Sequence, residues 1–309
     1  MNELALAVFA SESGAHLLRP PDTARWRRHL RGFDAAAYER RLAERGFRFT
    51  ADLPPLLRSI HDPPVGLFVR GSASLDVLAR PAVAIVGARA CSGYGASVAR
   101  SLAREAAAAE LVVVSGLARG VDGEAHRGAL DAGGITVAVL GCGIDRDYPA
   151  AHADLARRIT ERGLIVSEYA PGVEPAPWRF PARNRIVAGL CATTVVVEAR
   201  ERSGALITAD LALEEGREVF AVPGEITSAL SSGTNALLKL GAAPLTCAAD
   251  LGIEPPPDEP SPLLDLLPAT ADELVRRTGR EAAEIARELV ELELLGRVSA
   301  RDGVYRRGA

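Results

Sequence analysis

The sequence predicts an α/β chain: a doubly wound, mainly parallel sheet with a small amino-terminal helical module and a carboxyl-terminal winged-helix domain. Three observations predict it. From Ala82 onward, short β-branched runs alternate with helical patterns of roughly 10 to 15 residues, the rhythm of βαβ units. Apolar residues make up 48% of the chain but aromatics only 5%, which leaves the core to Ala, Val, Leu and Ile and suits a sheet covered on both faces. Small and polar residues gather where the strands end, and sheets of this kind bind ligands outside the carboxyl ends of their strands.

Residues 1–62 read as a mainly helical module with a modest core, including a helix from Asp34 to Arg45 and a turn marked by Pro54 and Pro55. Residues 63–252 form the expected sheet domain. Pro63 and Pro64 introduce Val65 to Val69, an edge-strand pattern, because proline cannot donate to a ladder. Further strands are expected at Val83 to Val86, Leu111 to Val114, Thr136 to Leu140, Leu164 to Ser167, Thr194 to Val197 and Val219 to Val222. The acidic, proline-rich run from Glu254 to Pro262 lacks apolar periodicity, so 253–262 reads as a linker. Within 263–309, helical patterns at Leu263 to Leu267, Ala271 to Arg277 and Arg280 to Leu295 precede a hairpin, Arg297 to Arg306, turning at Asp302-Gly303. Three helices and a hairpin describe a winged helix.

The net charge of −4 argues against a protein that coats nucleic acid through bulk positive charge, but leaves room for a local basic groove. Lys239 is the only lysine; guanidinium suits bidentate phosphate contact, although compositional bias accounts for most of this usage. Cys91, Cys142, Cys191 and Cys247 form no CxxC pair, which points to a reducing cytoplasm and no zinc site. Leu4 to Ala10 is apolar but follows Glu3, lacks a basic flank and is too short to span a bilayer, so neither an export signal nor a membrane segment is expected.

The strand ends carry the chemistry. Gly87-Ala88-Arg89 and Ser115-Gly116-Leu117-Ala118-Arg119-Gly120 put arginines on two adjacent ends, which implies an extended anionic ligand. Phe180-Pro181 opens an apolar-periodic stretch, and proline there reads as a first helical turn. Arg183 and Arg185 would then sit at a helix N-terminus, where cations are disfavoured by the macrodipole, a local rule broken as though an anion were missing. Two positions apart on a helix, they point about 200° apart, so one faces the groove. Arg185 is expected there, with Arg183 as a structural partner. Ser203-Gly204-Ala205 opens another helix whose backbone N–H groups suit an anion.

Other constellations read more plainly. Asp122 and His126 stand at i and i+4, but capping by Asp122 and packing of His126 outweigh an acid/base pair. Ser115 and Ser203 lie in no GxSxG elbow. Asp145 and Asp147 suit turn and capping roles better than a metal. Tyr148, Tyr94, Tyr169 and Trp178 are candidate platforms for unpaired bases. In the winged helix, Glu281, Glu284, Glu288, Glu291 and Glu293 face only Arg280 and Arg287, so phosphate repulsion disfavours duplex binding and a protein contact or packing role is expected. No catalytic residue, metal or cofactor is expected.

These motifs resemble the DNA-processing protein DprA (Smf) family. The likeness is carried by Val83 to Arg89, Ser115 to Asp122, Gly143-Ile144-Asp145 with Tyr148-Pro149, Ser167-Glu168-Tyr169, Phe180 to Leu190, Ser203-Gly204, and Val222-Pro223-Gly224 with Gly233-Thr234-Asn235, across about Pro54 to Leu251. It implies an extended Rossmann-like domain that binds single-stranded DNA in a basic pocket, self-associates and loads the recombinase RecA onto DNA taken up in natural transformation. By motif position, Arg89 would contact phosphate, with Gly87, Ala88, Ser115, Gly116, Arg119, Tyr148, Asn184, Arg185, Ser203 and Gly204 around it. Where family members often carry a basic residue after Tyr-Pro, this chain has Ala150, and His152 replaces an asparagine. One phosphate contact is then missing, or is supplied by Arg146, Arg157 or Arg158. Self-association is expected around Asn235 to Ala243. The alternative is a nucleotide hydrolase resembling phosphoribohydrolases, with Glu198, Glu214 or Glu215 as its carboxylate, although their Pro-Gly-Gly…Gly-Thr loop is absent.

Overall fold

A computed structural model describes residues 2–14, 20–253, 261–294, 297–301 and 303–307, in two units, Met1–Glu254 and Pro255–Ala309. The first unit runs α1 (Glu3–Ser13), α2 (Ala24–Gly32), α3 (Ala35–Glu44), β1 (Phe47–Thr50), α4 (Pro55–Arg58), β2 (Leu67–Arg70) and β3 (Ala82–Val86). It continues through α5 (Gly93–Ala108), β4 (Val112–Ser115), α6 (Val121–Asp131), β5 (Thr136–Val139), α7 (Ala153–Arg162) and β6 (Leu164–Ser167). Then come α8 (Arg179–Gly189), β7 (Thr193–Val196), α9 (Gly204–Glu214), β8 (Glu218–Ala221), α10 (Ser232–Lys239) and β9 (Ala243–Pro244).

The strands form one sheet in the order β1-β2-β6-β5-β4-β3-β7-β8-β9. From β6 to β9 every pairing is parallel. The residues alternate between two apolar layers: Ala84, Val86, Val112, Val114 and Val196 face one, and Val83, Ile85, Val113, Val195 and Val197 the other. Burial on both faces explains why the inner strands read as unbroken β-branched runs, each such side chain contributing about 1.5–3 kcal/mol over exposure. The windings from β3 to β6 advance in one direction. Helix α8 then carries the chain back to β7 on the other side of β3. The switch point therefore lies between β3 and β7, where a crevice opens at the carboxyl ends.

The amino-terminal 62 residues depart from a separate module. Leu4, Ala5, Leu6, Ala7, Val8 and Phe9 are all buried, and a helix apolar all round needs cover on every side. Leu4, Ala7 and Val8 pack with Phe68, Leu117, Leu140 and Ile144 of the sheet layer. The alternation Phe47, Arg48, Phe49, Thr50 is a strand, β1, which pairs antiparallel with β2 as Phe49 packs on Phe68 at 5.0 Å. The strand expected at the edge is therefore interior, held antiparallel to β6 on its other side.

In the second unit, β10 (Ala269–Thr270), α11 (Ala271–Thr278), α12 (Ala282–Leu294), β11 (Val298–Arg301) and β12 (Val304–Arg307) build a winged helix around Leu263, Leu274, Ile285, Leu289 and Val298. Its sheet has three strands, β10-β12-β11, rather than a hairpin alone. Thr270 and Glu273 cap α11 reciprocally. The helix expected at Leu263 to Leu267 is a single 3-10 turn, Leu264–Leu266, because Pro268 holds Leu267 extended. Most of the expected linker (254–260) and Asp302 of the expected turn lie outside the described residues. Among the described residues no helix is long and apolar enough to cross a membrane.

Candidate nucleic-acid interface

A cavity of about 610 Å³ opens at the switch point. Its walls are the loop after β3 (residues 87–90), Gly116 after β4, Tyr148 after β5, Phe180, Pro181, Arg183 and Asn184 of α8, and Arg200, Arg202 and Ser203 to Ala205 from the end of β7 into α9.

The floor depends on one turn. Gly120, at φ +72°, brings the segment after β4 against the segment after β3, where the Val121 N–H donates to the Ala88 carbonyl at 3.2 Å. A Cβ on Gly120 would stand 2.2 Å from that oxygen. Arg183 reaches beneath Gly116 and donates to the carbonyl oxygens of Gly116 (2.6 Å) and Val139. A Cβ on Gly116 would lie 2.1 Å from the Arg183 guanidinium, so only glycine leaves room for it. Asp122 accepts from the N–H groups of Gly116 (3.2 Å) and Ala118 (3.4 Å) and sits 3.9 Å from Arg183. Burial pushes the Asp122 carboxyl up and the Arg183 guanidinium down, each opposed by the other's charge.

The mouth has a different character. Arg89 is exposed and stacks over the Phe180 ring at 5.4 Å, and Phe180 in turn lies 5.2 Å from the ring of Tyr148, itself 42% exposed. Arg200 and Arg202 are exposed on the facing side. Asp122 is the only carboxylate among the lining residues, and it is buried. The cavity thus presents guanidinium groups, ring faces and the backbone at the start of α9, a combination suited to phosphate and unpaired bases.

Residues 47–254 match the family model of DNA recombination-mediator protein A. The chain belongs to that family. Residues 248–303 match the DprA winged-helix domain. The chain is 49% identical over 195 residues to the DNA processing protein DprA of Streptococcus pneumoniae, covering 63% of this chain and 68% of that protein. The crystal structure of S. pneumoniae DprA superposes with a TM-score of 0.69 at 38% identity, over 82% of this chain and 92% of that one. DNA processing protein A of Helicobacter pylori, whose structure concerns a unique single-stranded DNA binding mode, superposes with a TM-score of 0.62 at 32% identity, over 66% and 93%.

Among the residues expected at the site, Gly87, Ala88, Arg89, Gly116, Tyr148, Asn184, Ser203 and Gly204 line the cavity. Asn184 ties α8 to α9, donating to the Gly204 carbonyl at 3.1 Å while accepting from Arg183. Ser115 is buried and donates instead to the Ile85 carbonyl at 2.7 Å. Arg119 is exposed on the turn but outside the lining.

Arg185 requires correction. It is buried facing away from the cavity, paired with both carboxylate oxygens of Glu168 (2.9 and 2.8 Å) and with Asp62 at 3.1 Å. The opposed directions of Arg183 and Arg185 hold, but Arg183 takes the cavity side. Nor do Arg183 and Arg185 stand at a helix N-terminus awaiting an anion, because α8 begins at Arg179. Both arginines fall in its second turn, beyond most of the macrodipole's reach, and both are neutralised by protein groups. The cation in the first turn, Arg179, packs over Trp178 at 4.8 Å and Tyr169 at 5.1 Å.

Phe180, Arg200 and Arg202 were not anticipated, although the rule that singled out the other strand ends covers the arginines, which follow β7. Of the aromatic candidates, only Tyr148 lines the cavity; Tyr169 is buried, Trp178 stands beside Arg179, and Tyr94 lies at the start of α5. Arg146, Arg157 and Arg158 pair with Glu174, with Asp154 and Glu161, and with Asp131. His152 turns inward to meet the Leu117 carbonyl at 3.0 Å. Asp145 accepts from Gly172 and Arg45, and Asp147 pairs with Arg70. His126 meets Thr136 rather than Asp122, and burial lowers its pKa to about 3. The Glu198 carboxylate is turned to the N–H (2.8 Å) and hydroxyl of Ser92 at the head of α5, and Glu215 accepts from the His61 N–H.

Proposed function

We propose that the chain binds single-stranded DNA in the switch-point cavity and acts in the cytoplasm as a mediator that protects incoming strands and loads RecA during natural transformation. The observation that carries this reading is the mouth of the cavity. Arg89 lies over Phe180, and Phe180 over Tyr148, with no accessible carboxylate among the lining residues. Guanidinium groups take phosphate, and open ring faces take bases at about 1–3 kcal/mol each. A duplex hides its base faces within the stack, so single strands are favoured. Family membership supports the mediator role, and the H. pylori relative supports the ligand. Self-association is assigned to 235–243, where Leu240 is 86% exposed.

The hydrolase reading gains no support: Glu198 and Glu215 are engaged by Ser92 and His61, and Glu214 lies at the far end of α9, outside the cavity lining. Competition between a labelled single-stranded oligonucleotide and unlabelled single-stranded or duplex DNA tests the proposal. Single strands should displace the label at far lower concentration; equal displacement by duplex would overturn the ligand assignment.

A further inference from the structure

The amino-terminal helices carry a second concentration of the same chemistry. Helix α2 has four arginines in nine residues, Arg25, Arg27, Arg28 and Arg31, all exposed. Arg27 meets Asp22 at 3.6 Å, whereas Arg25, Arg28 and Arg31 have no carboxylate partner among the described residues. No acidic residue stands in the first turn of α2, so the macrodipole disfavours Arg25 there, while Arg31 in the last turn sits at the end that favours a cation. An ordinary solvated face would end the matter there. Here, however, Arg25 and Arg28 line a groove of about 370 Å³ between α1 and α2, floored by the rings of Phe9, His29 and Phe33, with Arg31 one turn beyond Arg28 on α2. His29 stacks on Phe33 at 5.2 Å, and Arg25 lies over Phe9 at 5.5 Å. Glu12 is the one carboxylate in the lining.

The position of this groove matters as much as its composition. Ser11 of α1 accepts from the Ala170 N–H at 3.0 Å, just past the end of β6. Arg45, following α3, pairs with Asp145 beyond the end of β5 at 3.1 Å. The helices are therefore moored at the carboxyl ends of β5 and β6, the end of the sheet at which the cavity opens beside β3. Three strand spacings separate β6 from β3, about 15 Å at the usual inter-strand distance.

We propose that the α1–α2 groove and the arginine face of α2 form a second station for the same single strand, taking the phosphate backbone where it leaves the switch-point cavity. This rests on the cavity being the first station.

The test uses the full chain, an Arg25→Gln/Arg28→Gln/Arg31→Gln variant, and oligothymidylates of increasing length, read by fluorescence anisotropy over a range of salt. The parent should gain affinity in two steps as the strand outgrows the cavity. The variant should keep the first step and lose the second. Its salt slope for long strands should fall by about 2, three contacts at about 0.7 each. Between about 50 and about 200 mM salt, the parent then loses about twenty-fold more affinity than the variant. Equal slopes and equal long-strand affinity in parent and variant would overturn the proposal, as would a surface that serves an acidic protein instead and leaves every DNA readout unchanged. Failure of the parent to bind short strands, with the length-dependent step intact, would strike the cavity and not α2.

Discussion

Arg183 of α8 and Asp122 of α6 lie 3.9 Å apart beneath Gly116, both almost fully buried, and between them hold the turn that floors the cavity. Asp122 binds the turn through two N–H groups, Arg183 through a carbonyl oxygen, and Leu117 between them is locked in the left-handed region at φ +59°. Replacing Arg183 with methionine strands a buried carboxylate and two carbonyl oxygens, at an expected cost of about 3–5 kcal/mol. Urea unfolding measures it. Adding Asp122→Asn should restore part of the loss, and a strictly additive double variant would show that the two residues do not act as a pair.

Gly120→Ala should be nearly as damaging without removing any functional group. The backbone there has φ +72° and ψ −130°, conformations open to glycine, and the new Cβ would press on the Ala88 carbonyl. We expect a loss of at least about 1–3 kcal/mol, with weakened oligonucleotide binding as the two loops separate. Thermal melting and anisotropy on the same preparation check both.

Arg89 and Arg185 should separate cleanly. Arg89 is exposed, so Arg89→Ala leaves the melting temperature nearly unchanged. Arg185→Ala leaves Glu168 buried with its bidentate partner gone, and should destabilise the fold by about 3–5 kcal/mol. A stable Arg185→Ala protein with selectively impaired DNA binding would reverse this assignment.

That reversal also shows what could be read in advance. The inner strands were legible because residues buried on both faces leave an unbroken β-branched run, and the cavity loops because glycines and small residues cluster where a backbone must approach a ligand. Arg183 and Arg185 were legible as opposed but not as oriented, since direction depends on where α8 starts and on Glu168 and Asp62, distant in sequence. Strand β1 was missed because four residues of alternation are a weak signal until Phe68 is in place beside Phe49. Arg200 and Arg202 obeyed the strand-end rule but stood among acidic neighbours that masked them.

Acid should weaken the fold in part through His126. Its folded pKa is lowered by burial to about 3, against about 6.5 when unfolded. The unfolded chain therefore binds the extra proton, so this contribution is complete above about pH 6.5 and is lost as the pH falls toward 3. By pH 5 the parent should have lost about 2 kcal/mol on this account, a slope that His126→Asn removes. Paired denaturation at pH 7 and pH 5 provides the comparison; parallel losses in both proteins would assign the acid sensitivity elsewhere.

The central claim is that the switch-point cavity holds single-stranded DNA through Arg89 and the rings beside it. Its most direct test is the affinity of Arg89→Ala for a short single-stranded oligonucleotide, measured beside the parent across a salt titration. The account predicts weaker binding by a variant that melts like the parent, with a salt slope reduced by about 0.7 for the lost phosphate contact. Equal affinity and equal slope at matched salt would contradict it.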